Sequence, residues 1–348
     1  MKILIVKRSS LGDVVHAMPA VQDLRQAWPQ AQIDWVVEPA FAPLLRRCSG
    51  VQRVIACDLR RWRRAPLSAA TRQAWREFRA ELQAEAYDRV IDLQGLSKSA
   101  LVAWLARLAP GGRRVALANR SDGSSYEAPT RWVAGQVVQL PPHIGAVARS
   151  RALCAQALGY ALPEILSFGL AARVPLGSGA MENEAGLQLG PKVVVLAHGS
   201  SRADKLWPVA AWQALGQRLT AQGHTLALPH GNEAELQQAQ AIARPLAGAQ
   251  IWPRLGLDAL TDALAACAGV IGVDSGLSHI AVALDLPHVQ LYNFDTAWRT
   301  GPAPGPRQCS VLGTPSPTLD QVWQAWQTVC PAVCPVVGPA AFPVAAPA

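Results

Sequence analysis

Most short signatures of nucleotide or hydrolytic chemistry are missing from these 348 residues. Neither G-x-G-x-x-G nor G-x-x-x-x-G-K-[ST] occurs, which argues against a dehydrogenase and against a P-loop kinase. H-E-x-x-H, G-x-S-x-G and a D-x-D metal motif are absent too. No run of 18 apolar residues exists, so no transmembrane helix is expected. The start, Met1-Lys2-Ile3-Leu4-Ile5-Val6-Lys7, is too short for a signal peptide and enters a structured pattern at once. The seven cysteines form no C-x-x-C pair and are odd in number, so neither a zinc site nor a disulfide framework is expected. A soluble protein of the reducing cytosol is the simplest expectation.

What is present is an apolar, unevenly charged chain. Half of it is hydrophobic, which excludes disorder, and its length suits about two domains. The formal charge of +8 is split: residues 1–170 carry a net +10 and residues 171–348 a net −2. A basic half suits an anionic partner, whether nucleic acid, a phosphorylated lipid surface or a phosphorylated small molecule. A solubilising arginine-rich surface fits equally well.

Apolar runs alternate with helical patterns. Strands are expected at 3–6, 33–37, 51–56, 90–92 and 115–118, with helices over 69–86 and 97–108. A further helix follows Asp13, and Pro19 should kink it or delay its start. Residues 162–190, rich in Gly, Ala and Pro, read as a linker. The alternation then restarts, with strands at 192–198, 225–228, 250–252, 269–273 and 288–292. Helices are expected over 209–222, 232–244, 257–267, 275–284 and 319–329. This is an α/β chain with two parallel sheets. Its domains should span 1–170 and 191–318, joined by a linker at 171–190 and followed by a closing helix at 319–330 and a flexible tail at 331–348. A cleft between two such domains is where a ligand sits.

Five segments can carry chemistry. Ser9-Ser10-Leu11-Gly12-Asp13 follows the first strand; Gly12 permits a tight turn, and Asp13 is either a helix cap or a general base. His16, one turn on, either orients a substrate or packs. Asp274-Ser275-Gly276-Leu277-Ser278-His279 opens a helix, whose free N–H groups and dipole suit a phosphate; Asp274 either caps it or accepts from sugar hydroxyls. Ser200, Ser201 and Lys205 lie in another strand-to-helix loop and resemble a diphosphate clamp, with Pro208 in the first turn of the next helix. Glu233 and Glu235 either bind ribose hydroxyls or complement a helix dipole. Arg60-Arg61-Trp62-Arg63-Arg64, read as a loop, can grip phosphates, nucleic acid or lipid headgroups.

Taken together with Asp92-Leu93-Gln94-Gly95-Leu96-Ser97-Lys98-Ser99 and Asp204-Lys205-Leu206-Trp207-Pro208, these segments resemble the lipopolysaccharide heptosyltransferases of glycosyltransferase family 9 over residues 1 to about 329. The arginine-rich loop and the Asp-Lys-x-Trp-Pro segment favour the branch that adds the first heptose. The resemblance implies a GT-B fold, two Rossmann-like domains facing across a cleft. It also implies inverting, metal-independent transfer of heptose from ADP-heptose to the Kdo residue of Kdo2-lipid A, with no cofactor. Asp13 would be the general base. Ser200, Ser201, Lys205, Ser275, Gly276 and Leu277 would hold the diphosphate; Asp274 would bind heptose hydroxyls, Glu235 the ribose, Leu255 the adenine and His279 the sugar-phosphate region. Ser10, Gly12, Arg60, Arg61, Arg63, Arg64, Lys98 and Arg120 would meet the acceptor. The enzyme would be cytoplasmic and peripheral on the anionic inner leaflet. Scattered arginines and phosphate-type loops in the neutral half argue against nucleic acid. Tyr292-Asn293-Phe294-Asp295-Thr296-Ala297-Trp298-Arg299 departs from the commoner Tyr-Gly-Pro-Thr-Asp-Pro pattern.

Overall fold

The computed structural model describes residues 1–173, 181–182 and 186–330. The expected tail at 331–348 and parts of the expected linker (174–180 and 183–185) lie outside the described residues.

The first half builds strands β1 (Lys2–Val6), β2 (Gln32–Val37), β3 (Val51–Ala56), β4 (Tyr87–Asp92), β5 (Leu108–Leu117) and β6 (Gln136–Val138). They form one parallel sheet in the order β3-β2-β1-β4-β5-β6. A small antiparallel hairpin, β7 (Met181–Glu182) with β8 (Gln188–Leu189), follows inside the expected linker. The second half repeats the first sheet's order with β9 (Val193–Ala197), β10 (Thr225–Leu228), β11 (Gln250–Ile251), β12 (Gly269–Val273), β13 (His288–Tyr292) and β14 (Gln308–Leu312), arranged β11-β10-β9-β12-β13-β14. This is the GT-B architecture implied by the resemblance.

The continuous apolar runs have a simple cause: both faces of each sheet are covered. Along β1, Ile3 and Ile5 enter the core shared with helix Leu11–Ala27, while Leu4 and Val6 enter the core on the opposite face. In β9, Val193 and Val195 face one core and Val194 and Leu196 the other. Helix Leu319–Val329 places Val322, Trp326 and Val329 in that second core, so it covers the second sheet.

Several expectations need correction. Helix Leu11–Ala27 starts directly after Ser10 and continues through Pro19, so its start is not delayed. The helix expected over 97–108 ends at Leu105, and strand β5 begins at Leu108 rather than 115, running through Pro110, Gly111 and Gly112 with a register irregularity against β4. Leu170 forms a bridge with Cys48, which ties the start of the linker to the first half. Among the described residues no helix is long and apolar enough to cross a membrane.

In a sheet with this strand order, the chain turns in opposite directions from the first and fourth strands, which opens a crevice at their carboxyl ends. Those positions are the ends of β1 and β4, and of β9 and β12. The segments that leave them, loops and the first turns of the following helices, hold Asp13, the Asp92 segment, Lys205 and the Asp274 segment. Away from this crevice, Arg47 clasps the halves together. Its Nε donates to Asp258 at 2.7 Å, and its two terminal nitrogens donate to the two carboxylate oxygens of Asp262 at 2.6 Å each.

Burial also makes the fold acid-sensitive. His288, fully enclosed in β13, is pushed down to about 4 by burial, against the opposing effect of its Nδ1 bond to the Val270 carbonyl. Burial and the neighbouring His279 likewise hold His16 well below its ordinary value. At these two positions the unfolded chain takes up protons from about pH 6.5 downward while the folded chain resists, so their contribution to stability falls as pH falls. His288 alone accounts for about 3 kcal/mol between pH 6.5 and 4. Denaturant titrations at pH 7 and pH 4.5 should show a smaller loss for His288→Gln than for the wild type; an identical loss would refute this assignment.

Candidate active site

Two helix starts meet in the crevice. Helix Leu11–Ala27 comes from the first half and helix Gly276–Ala283 from the second. Their approach requires two glycines. A Cβ on Gly12 would lie 2.6 Å from His279 Cδ2, and one on Gly276 would lie 2.5 Å from Leu11 Cδ2. At the contact, His16 Nε2 lies 3.2 Å from His279 Nδ1, across 263 residues of sequence. Asp274 can only accept, so His279 donates through Nε2 to Asp274 Oδ1 at 3.2 Å, while its Nδ1 shares a hydrogen bond with His16 Nε2.

On the first-half wall, Asp13 takes part in the helix cap without being the N-cap itself. Ser10 is the N-cap, and Asp13 is its reciprocal partner three residues on: Oδ2 accepts from Ser10 N at 3.1 Å and from Ser10 Oγ at 3.0 Å. The other oxygen accepts from Lys7 Nζ at 3.2 Å. Burial works to raise the Asp13 pKa, but Lys7 and the Ser10 donors overcome it and hold the carboxyl well below the usual range. Lys7 is itself buried and also donates to Leu93 O at 3.3 Å. The loop is braced by Gln94, whose Oε1 accepts from Arg8 N at 2.8 Å and whose Nε2 donates to Ser9 O at 2.7 Å. Asp92 braces Gln94 in turn by accepting from Gln94 N at 2.9 Å, and burial pushes this carboxyl up to about 6.

On the second-half wall, Ser275 caps the short helix by accepting from Ser278 N, so capping is not the role of Asp274. Asp274 is 4% exposed; its Oδ2 accepts from Lys205 Nζ at 2.6 Å. Burial opposes its ionisation, yet His279 and Lys205 bring it below the usual carboxylate range. The loop carrying Lys205 is pinned on both sides. Asn293 Nδ2 donates to Asp204 O and Leu206 O at 2.9 Å each, and buried Trp207 donates to Pro317 O at 2.8 Å. Pro208 is the N-cap of helix Val209–Ala221 rather than a residue of its first turn. Glu235 folds over Gly199, where a Cβ would lie 2.8 Å from its Cδ, and accepts from Gly231 N at 2.7 Å.

A cavity of about 670 Å³ lies between the two walls. Ser10, Gly12 and Asp13 line it from one side. Ser200, Ser201, Lys205, Glu235 and Leu255 line it from the other, together with Asp274, Ser275, Gly276, Leu277 and His279. The arrangement places a carboxylate opposite a lysine and a helix N-terminus, which can stabilise a diphosphate.

The basic acceptor set lies elsewhere. Arg60, Arg61, Arg63, Arg64, Lys98 and Arg120 are exposed and do not line the cavity. The arginine segment is not wholly a loop. Residues Leu59–Trp62 form a short helix capped by Asp58. Trp62 is not interleaved among guanidiniums but turns inward onto Trp75 and Phe78, because Leu59 and Trp62 share a helical face. Arg60 pairs with Glu38 at 3.3 Å. Residues that the sequence did not single out complete the cavity: Lys7, Gln94, Arg149 and Arg299. Gln94 and Arg299 stand inside quoted segments and Lys7 ends the first apolar run, but nothing local distinguishes Arg149 from a surface arginine.

Residues 75–322 match the model of Glycosyltransferase family 9 (heptosyltransferase). The chain is 38% identical to lipopolysaccharide heptosyltransferase 1 of Pseudomonas aeruginosa over 293 residues, covering 84% of this chain and 78% of that protein. It is 37% identical to lipopolysaccharide heptosyltransferase 1 of Escherichia coli K12, covering 84% and 88%. Its fold is similar to that of the E. coli heptosyltransferase WaaC solved with ADP, with a TM-score of 0.81, 32% identity, and coverage of 93% of this chain and 98% of that one. The same enzyme with ADP-2-deoxy-2-fluoro heptose matches at a TM-score of 0.76 and 31% identity, with the same coverage. Two facing Rossmann-like sheets, a carboxylate set against a lysine and a helix N-terminus, and a family match over most of the length agree: the chain belongs to glycosyltransferase family 9, the heptosyltransferases.

Proposed function

We propose that this chain transfers L-glycero-D-manno-heptose from ADP-heptose to the Kdo residue of Kdo2-lipid A, with inversion at the anomeric carbon and without a metal ion. The observation that carries this reading is the opposition of Asp13 to Lys205 and the Gly276–Ala283 helix start across one cavity. An acceptor hydroxyl at Asp13 attacks the anomeric carbon as the bond to the diphosphate oxygen breaks. Its proton passes to the Asp13 carboxylate, and ADP leaves with the bonding electrons. A base on one wall and a leaving-group site on the other suit attack from the opposite face of the sugar, hence inversion. Lys205 and the free N–H groups of the helix start supply the positive potential that the departing diphosphate needs. The nucleotides bound in the similar E. coli enzyme support ADP-heptose as donor.

A membrane-bound acceptor suits the surface of the first half. Lys98, Leu101 and Trp104 follow one another at three-residue spacing on helix Ser97–Leu105, with Trp104 58% exposed. Helix Pro129–Trp132 packs beside it and leaves Trp132 78% exposed. Aromatic tips beside basic side chains suit an anionic leaflet, and we place the enzyme on the cytoplasmic one.

The test is an assay with ADP-heptose and heptose-free Kdo2-lipid A in the presence of EDTA, with the anomeric configuration of the product read by NMR. Turnover that withstands the chelator and gives an inverted linkage is expected. Use only of an acceptor already bearing heptose would reassign the chain to second-heptose addition. Activity lost in EDTA and restored by magnesium would sink the metal-free mechanism.

A further inference from the structure

The wall around Asp13 holds more positive charge than Asp13 balances. Lys7 and Arg149 line it from the first half, and Arg299 reaches it from the second. Lys7 is paired with Asp13. Among the described residues neither arginine has a carboxylate at ion-pair distance. Arg149, on helix Ala146–Leu158, is 9% exposed and donates to Ser121 Oγ at 3.1 Å. Burial disfavours its charge, Asp13 favours it, and neighbouring Arg299 disfavours it again.

Arg299 is held in place from outside its own half. Trp298, beside it, stacks on His143 of the first half with ring centroids 3.7 Å apart. One terminal nitrogen of Arg299 donates to the carbonyl of Gly123. The guanidinium lies so close to Gly123 that a Cβ there would fall 1.9 Å from it. Its Nε is buried without a hydrogen-bond partner. Two guanidiniums directed into one cavity repel each other and leave donors unused, unless an anion lies between them. Arg299 also lies in the segment where this chain departs from the pattern of the enzymes it resembles.

We propose that Arg299 reaches across the cleft from the donor half to complete, with Arg149, an anion-binding subsite beside Asp13 that takes the carboxylate of the acceptor sugar acid. The inference rests on the acceptor reading above. A carboxylate on the ring that presents its hydroxyl to Asp13 falls within reach of this wall, whereas the phosphates belong to the lipid-bearing sugars further along the acceptor. The chemistry read is a pair of anionic oxygens, and the test separates the two sources. It also makes acceptor binding a clasp between the halves, because the two guanidiniums come from helices of different halves.

The experiment measures Arg299→Gln and Arg299→Lys against wild type with three acceptors: Kdo2-lipid A, its carboxyl methyl ester and its dephosphorylated form. Acceptor affinity is also titrated directly in the presence of ADP. Arg299→Gln should raise the acceptor KM and weaken direct binding by about 10- to 100-fold, with ADP affinity unchanged and Arg299→Lys partly restored. The difference between Arg299→Gln and wild type should vanish with the methyl ester and persist with the dephosphorylated acceptor. An unchanged acceptor affinity, or a difference that vanishes only on dephosphorylation, overturns the proposal. Wild-type enzyme that neither binds nor turns over Kdo2-lipid A would overturn the functional reading itself, and the inference with it.

Discussion

Asp13→Asn should lower turnover by about two to four orders of magnitude while leaving ADP binding essentially intact. Asparagine keeps the shape of the side chain and can still accept from Ser10 N, so the start of helix Leu11–Ala27 is preserved. It cannot take a proton. The carboxylate of the wild type lies well below the usual range, which makes it a weak base that stays ionised at every physiological pH. In the proposed mechanism a weak base would suffice, because the acceptor hydroxyl becomes strongly acidic only as its oxygen bonds to the anomeric carbon. On that reading Asp13 would act late, with the Lys7 ion pair keeping it ionised until then. The group therefore sets no acid limb near neutrality. Its ionised form, and the stability contributed by its ion pair, are retained above the unfolded carboxylate range and lost as pH falls through the depressed value. The variant also strips a buried lysine of its counter-charge, so its folding must be checked by thermal melting. A folded Asp13→Asn enzyme with undiminished turnover would remove the base from the mechanism.

The second large effect concerns the leaving group. Lys205→Met should reduce kcat by about 100- to 1,000-fold, more than it weakens ADP binding, because the diphosphate carries most charge after the bond breaks. In the free enzyme Asp274 holds this ammonium at the cavity wall at 2.6 Å. The variant leaves Asp274 to His279 and to Gln290, whose Nε2 donates at 3.4 Å, so the carboxylate keeps partners and the loop keeps its Asn293 and Trp207 anchors. Lys205→Arg keeps the charge but presents a planar fork on a different stem, and should recover only part of the rate. Steady-state kinetics set beside calorimetric ADP titration separate the two parameters. Equal losses in kcat and in ADP affinity would make Lys205 a binding residue alone.

Both sites were legible because both are local. Apolar runs marked β1, β3, β9, β10, β12 and β13 to within a residue or two, and the segments that follow β1, β9, β10 and β12 hold residues that line the cavity. Elements without a local signal were missed. Helix Ala146–Leu158 buries mostly small residues, such as Ala146, Ala155 and Ala157, so it shows no strong apolar stripe. Strands β6 and β14 are sheet edges with few buried positions. The arginine segment reads as a loop with an interleaved tryptophan for a related reason: its composition draws attention, but its periodicity turns Trp62 into the core and the charges outward.

The sequence by itself determined two α/β halves of the same kind, the uneven charge between them, and a phosphate-suited helix start in the second half. These follow from period, composition and backbone chemistry, which act over a few residues. Only the tertiary structure decided what faces what: His16 against His279, Arg47 on Asp258 and Asp262, and Arg299 over Gly123. Those partners stand 176 to 263 residues apart, and no local pattern encodes such a distance. Two glycines let the helix starts touch, and the packing of one sheet's helices against the other's turned two separate motifs into one cleft.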